Sequence, residues 1–159
     1  MSTFKKTNQK YSRPTYETKQ DLENEKAVAT YALERLGIEP VSQLVKLPRK
    51  YQIDYGVISR GEKGNKYIIG LLEIKCRTIA KDKYDTYMIS ADKMNTALQY
   101  YNNFNIGFSL IVSWTDVVGV FKLNKNFSPH LGFSGRYDRG DWQDVEPVCY
   151  IPTKNFSII

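Results

Sequence analysis

Apolar residues between Asp21 and Leu36 recur at the spacing of an α-helix. These positions are Leu22, Ala29, Ala32, Leu33 and Leu36. Residues three and four positions apart lie on one face of a helix, so the pattern predicts an amphipathic helix. Gly37 is a natural end for it, because glycine readily adopts the left-handed backbone found after many helices.

Two apolar runs come next, Tyr51 to Ser59 and Lys66 to Cys76, and the second is especially rich in residues that favour β-strands. The turn-forming residues Gly61 to Asn65 separate them. We therefore expect a β-hairpin that places the first run beside the second.

The rest of the chain predicts a second helix and three more strands. Ser90 is a suitable N-terminal cap for a helix that runs to about Asn103. The apolar runs Ile106 to Trp114 and Asp116 to Leu123 predict a second pair of strands. Glu146 to Pro152 contains two prolines and predicts a short edge strand. Up to Leu123 the element order is helix, strand, strand, helix, strand, strand.

The charged residues of the predicted hairpin follow long apolar runs. Glu73 and Lys75 are two positions apart, so their side chains share one face of the strand while Ile74 points to the other. The hairpin brings Asp54 within reach of Glu73. Two carboxylates and an ammonium group in a mid-sheet position cost desolvation free energy unless they serve each other or a metal ion.

A divalent cation is the usual remedy for two carboxylates that face each other. Mg²⁺ takes oxygen ligands and keeps several of its waters, so Asp54, Glu73 and the backbone carbonyl of Ile74 would suffice to hold it. Lys75 would then lie beside the metal, where it can orient or deprotonate an attacking water and offset the charge that grows on a phosphate. The pattern therefore predicts a metal-dependent phosphodiesterase site.

These residues and their order resemble the PD-(D/E)XK nuclease superfamily, which includes restriction endonucleases, archaeal Holliday-junction resolvases and phage exonucleases. The resemblance covers roughly Asp21 to Leu123, and the 19 positions from Asp54 to Glu73 lie within the loose range of that superfamily. Ile53 replaces the nominal proline before the aspartate. The resemblance implies an α/β fold with a restriction-endonuclease-like core, in which helices flank a mixed central sheet in αβββαβ-type order.

The resemblance also implies further site residues. In the superfamily a glutamate near the start of the first helix often completes the metal site, and Glu25 is the best match, with Glu23 as the runner-up. The alternative role for Glu25 is an acid that favours the positive end of the helix dipole. Lys93 and, more loosely, Gln99 match the lysine or glutamine that some members carry on the second helix, and an ordinary solvated lysine is the alternative for Lys93.

The stretch from His130 to Trp142 is predicted to be a loop and offers a second candidate for DNA contact. Arg136 and Arg139 lie there among glycines and aromatic residues, a composition suited to phosphate contact and base stacking. The alternative is that both arginines pair with the three nearby aspartates and pin a long loop.

Composition and net charge restrict the class of protein but do not identify its function. The chain has 159 residues, 42% of them hydrophobic, which fits a single domain with a real core over residues 20–159. Its net charge of +6 favours an anionic partner. Met1 to Lys19 is a basic, polar arm that is expected to be flexible or to lie along DNA. No stretch is apolar enough for a membrane span or a secretory signal, so we expect an intracellular, cytoplasmic protein with no membrane partner, in the host cytoplasm if it is viral.

Other catalytic classes lack the residues that they need. His130 is the only histidine, which argues against histidine-metal nucleases and histidine-based hydrolases. The sequence has no phosphate-binding glycine loop of the Walker or dinucleotide type. Cys76 and Cys149 lack metal-ligand spacing and are expected to be buried structural thiols.

We therefore expect a DNA endonuclease that uses Mg²⁺ or Mn²⁺ to hydrolyse a phosphodiester bond with an activated water. The small size fits a structure-selective or weakly specific enzyme, such as a junction resolvase or a virus-style recombination or degradation nuclease. A resolvase would need a homodimer to cut two strands symmetrically. Two alternatives stay open: a nuclease fold with a weak or lost active site that binds nucleic acid, and a structural ion-pair cluster in an unrelated sheet protein.

Overall fold

The structure, a computed structural model, describes residues 17–38 and 43–159, and every structural statement below refers to them. Most of the predicted N-terminal arm, residues 1–16, lies outside this range. The described residues form two α-helices and nine strands, with short 3₁₀ turns between some of them. Their bounds are α1 (Lys19–Arg35), β1 (Leu44–Lys46), β2 (Tyr55–Arg60), β3 (Lys66–Cys76), β4 (Thr86–Ser90), α2 (Ala91–Phe104), β5 (Gly107–Ser113), β6 (Val118–Lys122), β7 (His130–Gly135), β8 (Val145–Pro152) and β9 (Ser157–Ile158).

Helix α1 has defined caps at both ends. The Thr18 hydroxyl accepts a hydrogen bond from the Asp21 amide at 3.1 Å, and the Asp21 carboxylate accepts one from the Thr18 amide at 2.8 Å. This reciprocal pair satisfies two donors that a helix start leaves without partners. Gly37 follows the helix with a φ of +65°, the left-handed backbone predicted for it.

The larger sheet has six strands in the order β1-β2-β3-β5-β6-β9. Strands β3 and β5 are parallel, and the other neighbours are antiparallel. A parallel pair needs a long crossover, which β4 and α2 provide. On one face of this sheet, Ala29 and Ala32 of α1 share a buried cluster with Leu72 and Ile74 of β3. The predicted α/β fold with a mixed sheet flanked by helices is confirmed.

The smaller sheet is antiparallel, in the order β4-β8-β7. Together with α2 it covers the other face of the larger sheet and encloses the main apolar core. The largest fully buried apolar side chains of this core are Phe108, Phe121, Met94, Leu110 and Ile151. Neither helix within the described ranges is long and apolar enough to cross a membrane.

The stretch predicted as a loop from His130 to Trp142 begins as a strand. Residues 130–135 form β7, which pairs along its whole length with β8. Gly132 makes this close pairing possible, because a Cβ atom there would lie 2.4 Å from the ring of Tyr150 on β8. In this stretch, glycine therefore allows the two strands to lie close together and does not indicate a loop.

Strand β8 is central in the smaller sheet, and the prediction of an edge strand is wrong. Each of its prolines lies where one neighbouring strand no longer pairs with β8. Pro147 pairs with β7 beyond the reach of β4, and Pro152 pairs with β4 beyond the reach of β7. Proline lacks an N–H group, but on the side where no strand pairs with it this loss removes no hydrogen bond between strands.

Two smaller expectations also need correction. The first strand of the hairpin begins at Tyr55 and not at Tyr51, because residues 49–51 form a 3₁₀ turn and Gln52 has a left-handed φ of +67°. Cys149 is buried as predicted, whereas Cys76 is exposed because the end of β3 opens onto a cleft. The hairpin, α2 and the pair β5–β6 lie where the sequence predicts them.

Candidate active site

Asp54 is the last residue of the connection (residues 47–54) that joins β1 to β2. The left-handed backbone of Gln52 reverses the chain, and the buried side chain of Ile53 anchors the turn in the core. The Leu47 amide donates a hydrogen bond to the Asp54 carbonyl at 2.8 Å and closes the turn. These contacts fix the point at which the Asp54 carboxylate meets the sheet.

Glu73 lies on β3 just beyond Tyr55–Leu72, the last pair that this strand forms with β2. Its side chain is 0% exposed, and the Asp54 amide donates a hydrogen bond to Glu73 Oε2 at 3.1 Å. On the other side, β3 pairs with β5 up to Cys76. Among the described residues, the end of β3 therefore pairs with β5 on one edge, and no strand pairs with it on the edge near Asp54.

Two lysines complete a compact group around these acids. Lys75 Nζ lies 2.7 Å from Glu73 Oε1 and 3.2 Å from Asp54 Oδ2. Lys93 Nζ, from the first turn of α2, lies 3.0 Å from Glu73 Oε1 and 3.8 Å from Asp54 Oδ1, and it also donates a hydrogen bond to the Gln52 carbonyl. We call Asp54, Glu73, Lys75 and Lys93 the acid–lysine cluster.

Burial and ion pairing act in opposite directions on the pKa values of this cluster. Burial raises the pKa of the Asp54 carboxyl, but Lys75 and Lys93 outweigh it, so this pKa lies below its ordinary value. At Glu73 burial dominates and raises the pKa, although the same lysines pull it down. Burial lowers the pKa of Lys75, but Glu73 and Asp54 reverse that effect and raise it. Lys75 is therefore held as an ammonium ion.

The donors present fit a hard divalent cation. Glu73 Oε1 is buried, and its charged neighbours are the ammonium groups of Lys75 and Lys93, at 2.7 and 3.0 Å. Asp54 offers a second carboxylate, and Ile74 lies on the part of β3 that β2 leaves unpaired. The described residues contain no group of three or more acidic, histidine or cysteine side chains placed to hold a metal. A cation here would therefore need a backbone carbonyl and water as additional ligands, a mixed set that Mg²⁺ accepts.

Glu25 belongs to a neighbouring contact network. It is buried on α1, and its Oε2 atom accepts hydrogen bonds from the Tyr55 hydroxyl at 2.9 Å and from Lys46 Nζ at 3.4 Å. Burial, reinforced by the bond to Glu25, raises the pKa of Tyr55. The hydrogen bonds and ion pairs of Glu25 within the described ranges do not include Asp54 or Glu73.

A cleft of about 280 Å³ lies between the start of α1 and the end of β3. Its lining includes Glu25, Ile74, Lys75, Arg77 and Arg139. Glu25 therefore borders the same cleft as Ile74 and Lys75. Its hydrogen bonds and ion pairs within the described ranges do not reach the two acids of the cluster.

The sequence pattern alone does not single out Tyr55, Lys46 or Arg77. A signal exists for Arg77, because Glu73, Lys75 and Arg77 occupy alternate positions. Arg77 donates a hydrogen bond to the buried Tyr87 hydroxyl at 2.6 Å and borders the cleft. No local signal marks Lys46, because its contact with Glu25 joins two separate elements.

The remaining candidates do not contact the cluster through any hydrogen bond or ion pair described for them. Gln99 and the runner-up Glu23 are exposed on their helices. Arg136 forms a two-bond ion pair with Asp138, at 2.7 and 2.9 Å. Arg139 lies 3.9 Å from a carboxylate oxygen of Asp144 and also borders the cleft. These two pairs fit the alternative in which the arginines bind nearby aspartates and hold the loop in place.

Comparison with known proteins gives independent information. A family model described as "Phage putative PDDEXK endonuclease" matches residues 11–159, which include the whole acid–lysine cluster. Searches of the curated proteins and of the solved structures found no match. Nucleases of the PDDEXK type generally use divalent metal ions. The chain therefore belongs to this phage PDDEXK endonuclease family, and its general class of function is that of a nuclease.

Proposed function

We propose that this protein is a metal-dependent deoxyribonuclease that cuts DNA internally at the acid–lysine cluster. The supporting observation is that the carboxylates of Asp54 and of the fully buried Glu73 meet, together with Lys75 and Lys93, at the edge of β3 that β2 leaves unpaired. Removing a carboxylate from water costs several kcal/mol, which its ion pairs repay only when the geometry is very good. A site that binds a cation accounts for this cost better than a purely structural role.

Each member of the cluster has a distinct task in this proposal. Asp54, Glu73 and the Ile74 carbonyl would hold the cation. A bound cation would lower the pKa of a water molecule, so that its proton can pass to the solvent, and would stabilise negative charge on the phosphate. Lys75 is held as an ammonium ion, so it orients the water and offsets phosphate charge in place of accepting a proton.

Lys93 and Glu25 act from the two helices. Lys93 bridges both acids and the Gln52 carbonyl, so its ammonium group lies close to the place that a cation would take. Lys93 would therefore be available to contact the phosphate if a cation took over its place beside the two acids. Glu25 fixes Tyr55 at the start of β2, next to Asp54, and thus positions that acid.

The substrate we propose is DNA of irregular structure, such as a junction or flap. The net charge of +6 favours a phosphate backbone of any sequence.

Cleavage of labelled DNA tests this function. The substrates are linear duplex, single-stranded, flapped and four-way-junction DNA, each with Mg²⁺, Mn²⁺ or EDTA. Wild type is compared with Glu73→Gln and Lys75→Met, and the matched controls are Glu62→Gln and Lys63→Met in the exposed turn between β2 and β3. We expect metal-dependent cleavage that both site variants abolish and both controls keep. Equal cleavage by Glu73→Gln and wild type would refute the assignment of the site.

A nucleic-acid-binding module without catalysis is the second candidate. It is favoured by the charge balance of the cluster, because two lysines already neutralise two carboxylates without a metal. Calorimetric titration with Mn²⁺ separates the two functions. Heat of binding that is lost in Asp54→Asn supports the nuclease, whereas DNA binding without any Mn²⁺ binding supports the module.

A further inference from the structure

Strand β7 forms one edge of the smaller sheet. It pairs with β8 on one side, and no other described strand pairs with its outer side. The outward-facing N–H and C=O groups of such a strand form a ready template for another strand. A free edge of this kind needs either a protective device or a partner.

The two faces of β7 differ sharply. The ring of Tyr150 lies against Gly132 on one face. Leu131 and Phe133 are two positions apart and so project together from the other face, where they are 74% and 71% exposed. Two large apolar side chains side by side on a free edge form the start of an interaction surface.

The usual devices that protect an edge strand are missing here. Residues 130–135 contain no lysine, arginine, aspartate, glutamate or proline. The edge strands of the larger sheet are protected by their shortness, since β1 has three residues and β9 has two. On β4, the opposite edge of the smaller sheet, Tyr87 and Ile89 are buried in the core. Only β7 combines six residues, no charge and exposed apolar side chains among the edges described.

The charge of the neighbouring connection argues against nucleic acid as the partner. Residues 136–146 contain two arginines against three aspartates and one glutamate, so this segment is net acidic. A DNA phosphate backbone would be repelled there. The large aromatic side chains of Tyr137 and Trp142 in the same connection are exposed and could extend an apolar interface.

We propose that β7 pairs antiparallel with β7 of a second copy of this chain to form a two-fold symmetric dimer. An antiparallel pair of identical strands obeys two-fold symmetry, so one surface serves both copies. The joined sheet has six strands, and Leu131 and Phe133 of the two copies lie on its same face. A stable interface buries on the order of 800 Å² per partner, more than one short strand supplies, so Tyr137 and Trp142 add to it. This proposal is independent of catalysis.

Light scattering coupled to size-exclusion chromatography tests the dimer over a wide range of protein concentration. Wild type is expected at twice the monomer mass of 18.4 kDa, and Phe133→Lys and Leu131→Lys at the monomer mass. The matched control is Ile69→Lys, which adds the same charge at another exposed apolar strand position and should remain dimeric. Circular dichroism confirms that each variant is folded.

Hydrogen exchange of the wild-type protein identifies the surface without any substitution. We expect the amides of residues 130–135 to become more protected as the protein concentration rises. A monomeric wild type at every concentration, or concentration-dependent protection confined to other residues, would overturn the proposal. Protection of residues 130–135 by added single-stranded DNA in a monomeric protein would also overturn it and assign the surface to nucleic acid.

Discussion

Two of the places where acids meet cations in the described part of the molecule have different surroundings. In the acid–lysine cluster, Glu73 is fully buried and faces two ammonium groups. In the connection between β7 and β8, Arg136 and Asp138 form an ion pair with side chains that are 57% and 62% exposed. The residue types are similar, and the difference lies in access to water.

This difference shows how a candidate site can be distinguished from ordinary ion pairs. An exposed pair adds little to stability, because water screens the charges and the side chains lose freedom. A buried carboxylate lowers stability unless its partners compensate fully. The exposed pair therefore gives no indication of a function, whereas the burial of Glu73 is one reason why we propose a function for the acid–lysine cluster.

The largest expected effect is the loss of cleavage in Asp54→Asn and Glu73→Gln. Both substitutions keep the size of the side chain and remove the charge of a proposed metal ligand. We expect DNA cleavage with Mg²⁺ to fall by more than about 10²-fold, because even residues behind the direct ligands commonly account for 10- to 100-fold. Arg136→Ala should cleave like wild type. A comparable loss in Arg136→Ala would show that the exposed pair also serves the reaction.

Replacement of Lys75 by Met should lower cleavage by about 10²- to 10³-fold, the usual range for the loss of one donor that stabilises charge in the transition state. The same change should destabilise the fold by about 3 kcal/mol, the low end for a broken buried pair, because Lys93 still faces Glu73. Single-turnover cleavage and urea unfolding measure the two effects. If only stability changes, Lys75 is structural.

The sequence predicts the parts of this site that follow from one or two neighbouring elements. The alternation of Glu73 and Lys75 on an apolar strand, followed back through a turn to Asp54, needs only the geometry of a hairpin. The bridge from Lys93 to both acids depends on how α2 packs against β5 and β8, which sets its position relative to β3. That packing is set by tertiary contacts, which local pattern does not encode.

The fold also divides into elements that a local pattern predicts and elements that depend on tertiary contacts. The helices and the strands β2, β3, β5 and β6 have strong periodic signals, and the structure contains all of them. Strand β7 was hidden by its glycines, of which Gly132 fits the ring of Tyr150 and Gly135 lies against the backbone of Asp144. The central place of β8 was hidden by its prolines, because their tolerance depends on where the neighbouring strands end.

Replacement of Lys93 by Gln should sharpen the distinction between a cation site and a balanced ion-pair group. The cluster would then carry one net negative charge, so Mn²⁺ should bind roughly 10-fold more tightly, since removing a nearby positive charge lowers the repulsion on a cation. Titration calorimetry of the protein without DNA measures this affinity. Lys122→Gln, an exposed lysine on β6, is the control. Weaker Mn²⁺ binding in Lys93→Gln would contradict the overlap between Lys93 and the cation.

The smallest expected effect is a difference in reactivity between two cysteines, one at the open end of β3 and one in the packed smaller sheet. Cys76 is exposed and Cys149 is fully buried on β8. A thiol reagent at mildly alkaline pH should therefore label Cys76 in the folded protein and spare Cys149 until the protein unfolds. Equal labelling rates for both cysteines would mean that the smaller sheet opens readily.

The pH dependence of stability tests the same packing. Burial raises the pKa of Cys149 from 9.0 to about 11, so the folded protein keeps the thiol proton more firmly than the unfolded chain does. The resulting stability is fully present below pH 9 and is lost as the pH rises towards 11. Its size is at most about 3 kcal/mol, because one pKa unit corresponds to about 1.4 kcal/mol. Other groups titrate in this range, so the informative quantity is the difference in urea unfolding free energy between wild type and Cys149→Ala. That difference should shrink above pH 9, and a constant difference would show that the thiol is not shielded from water.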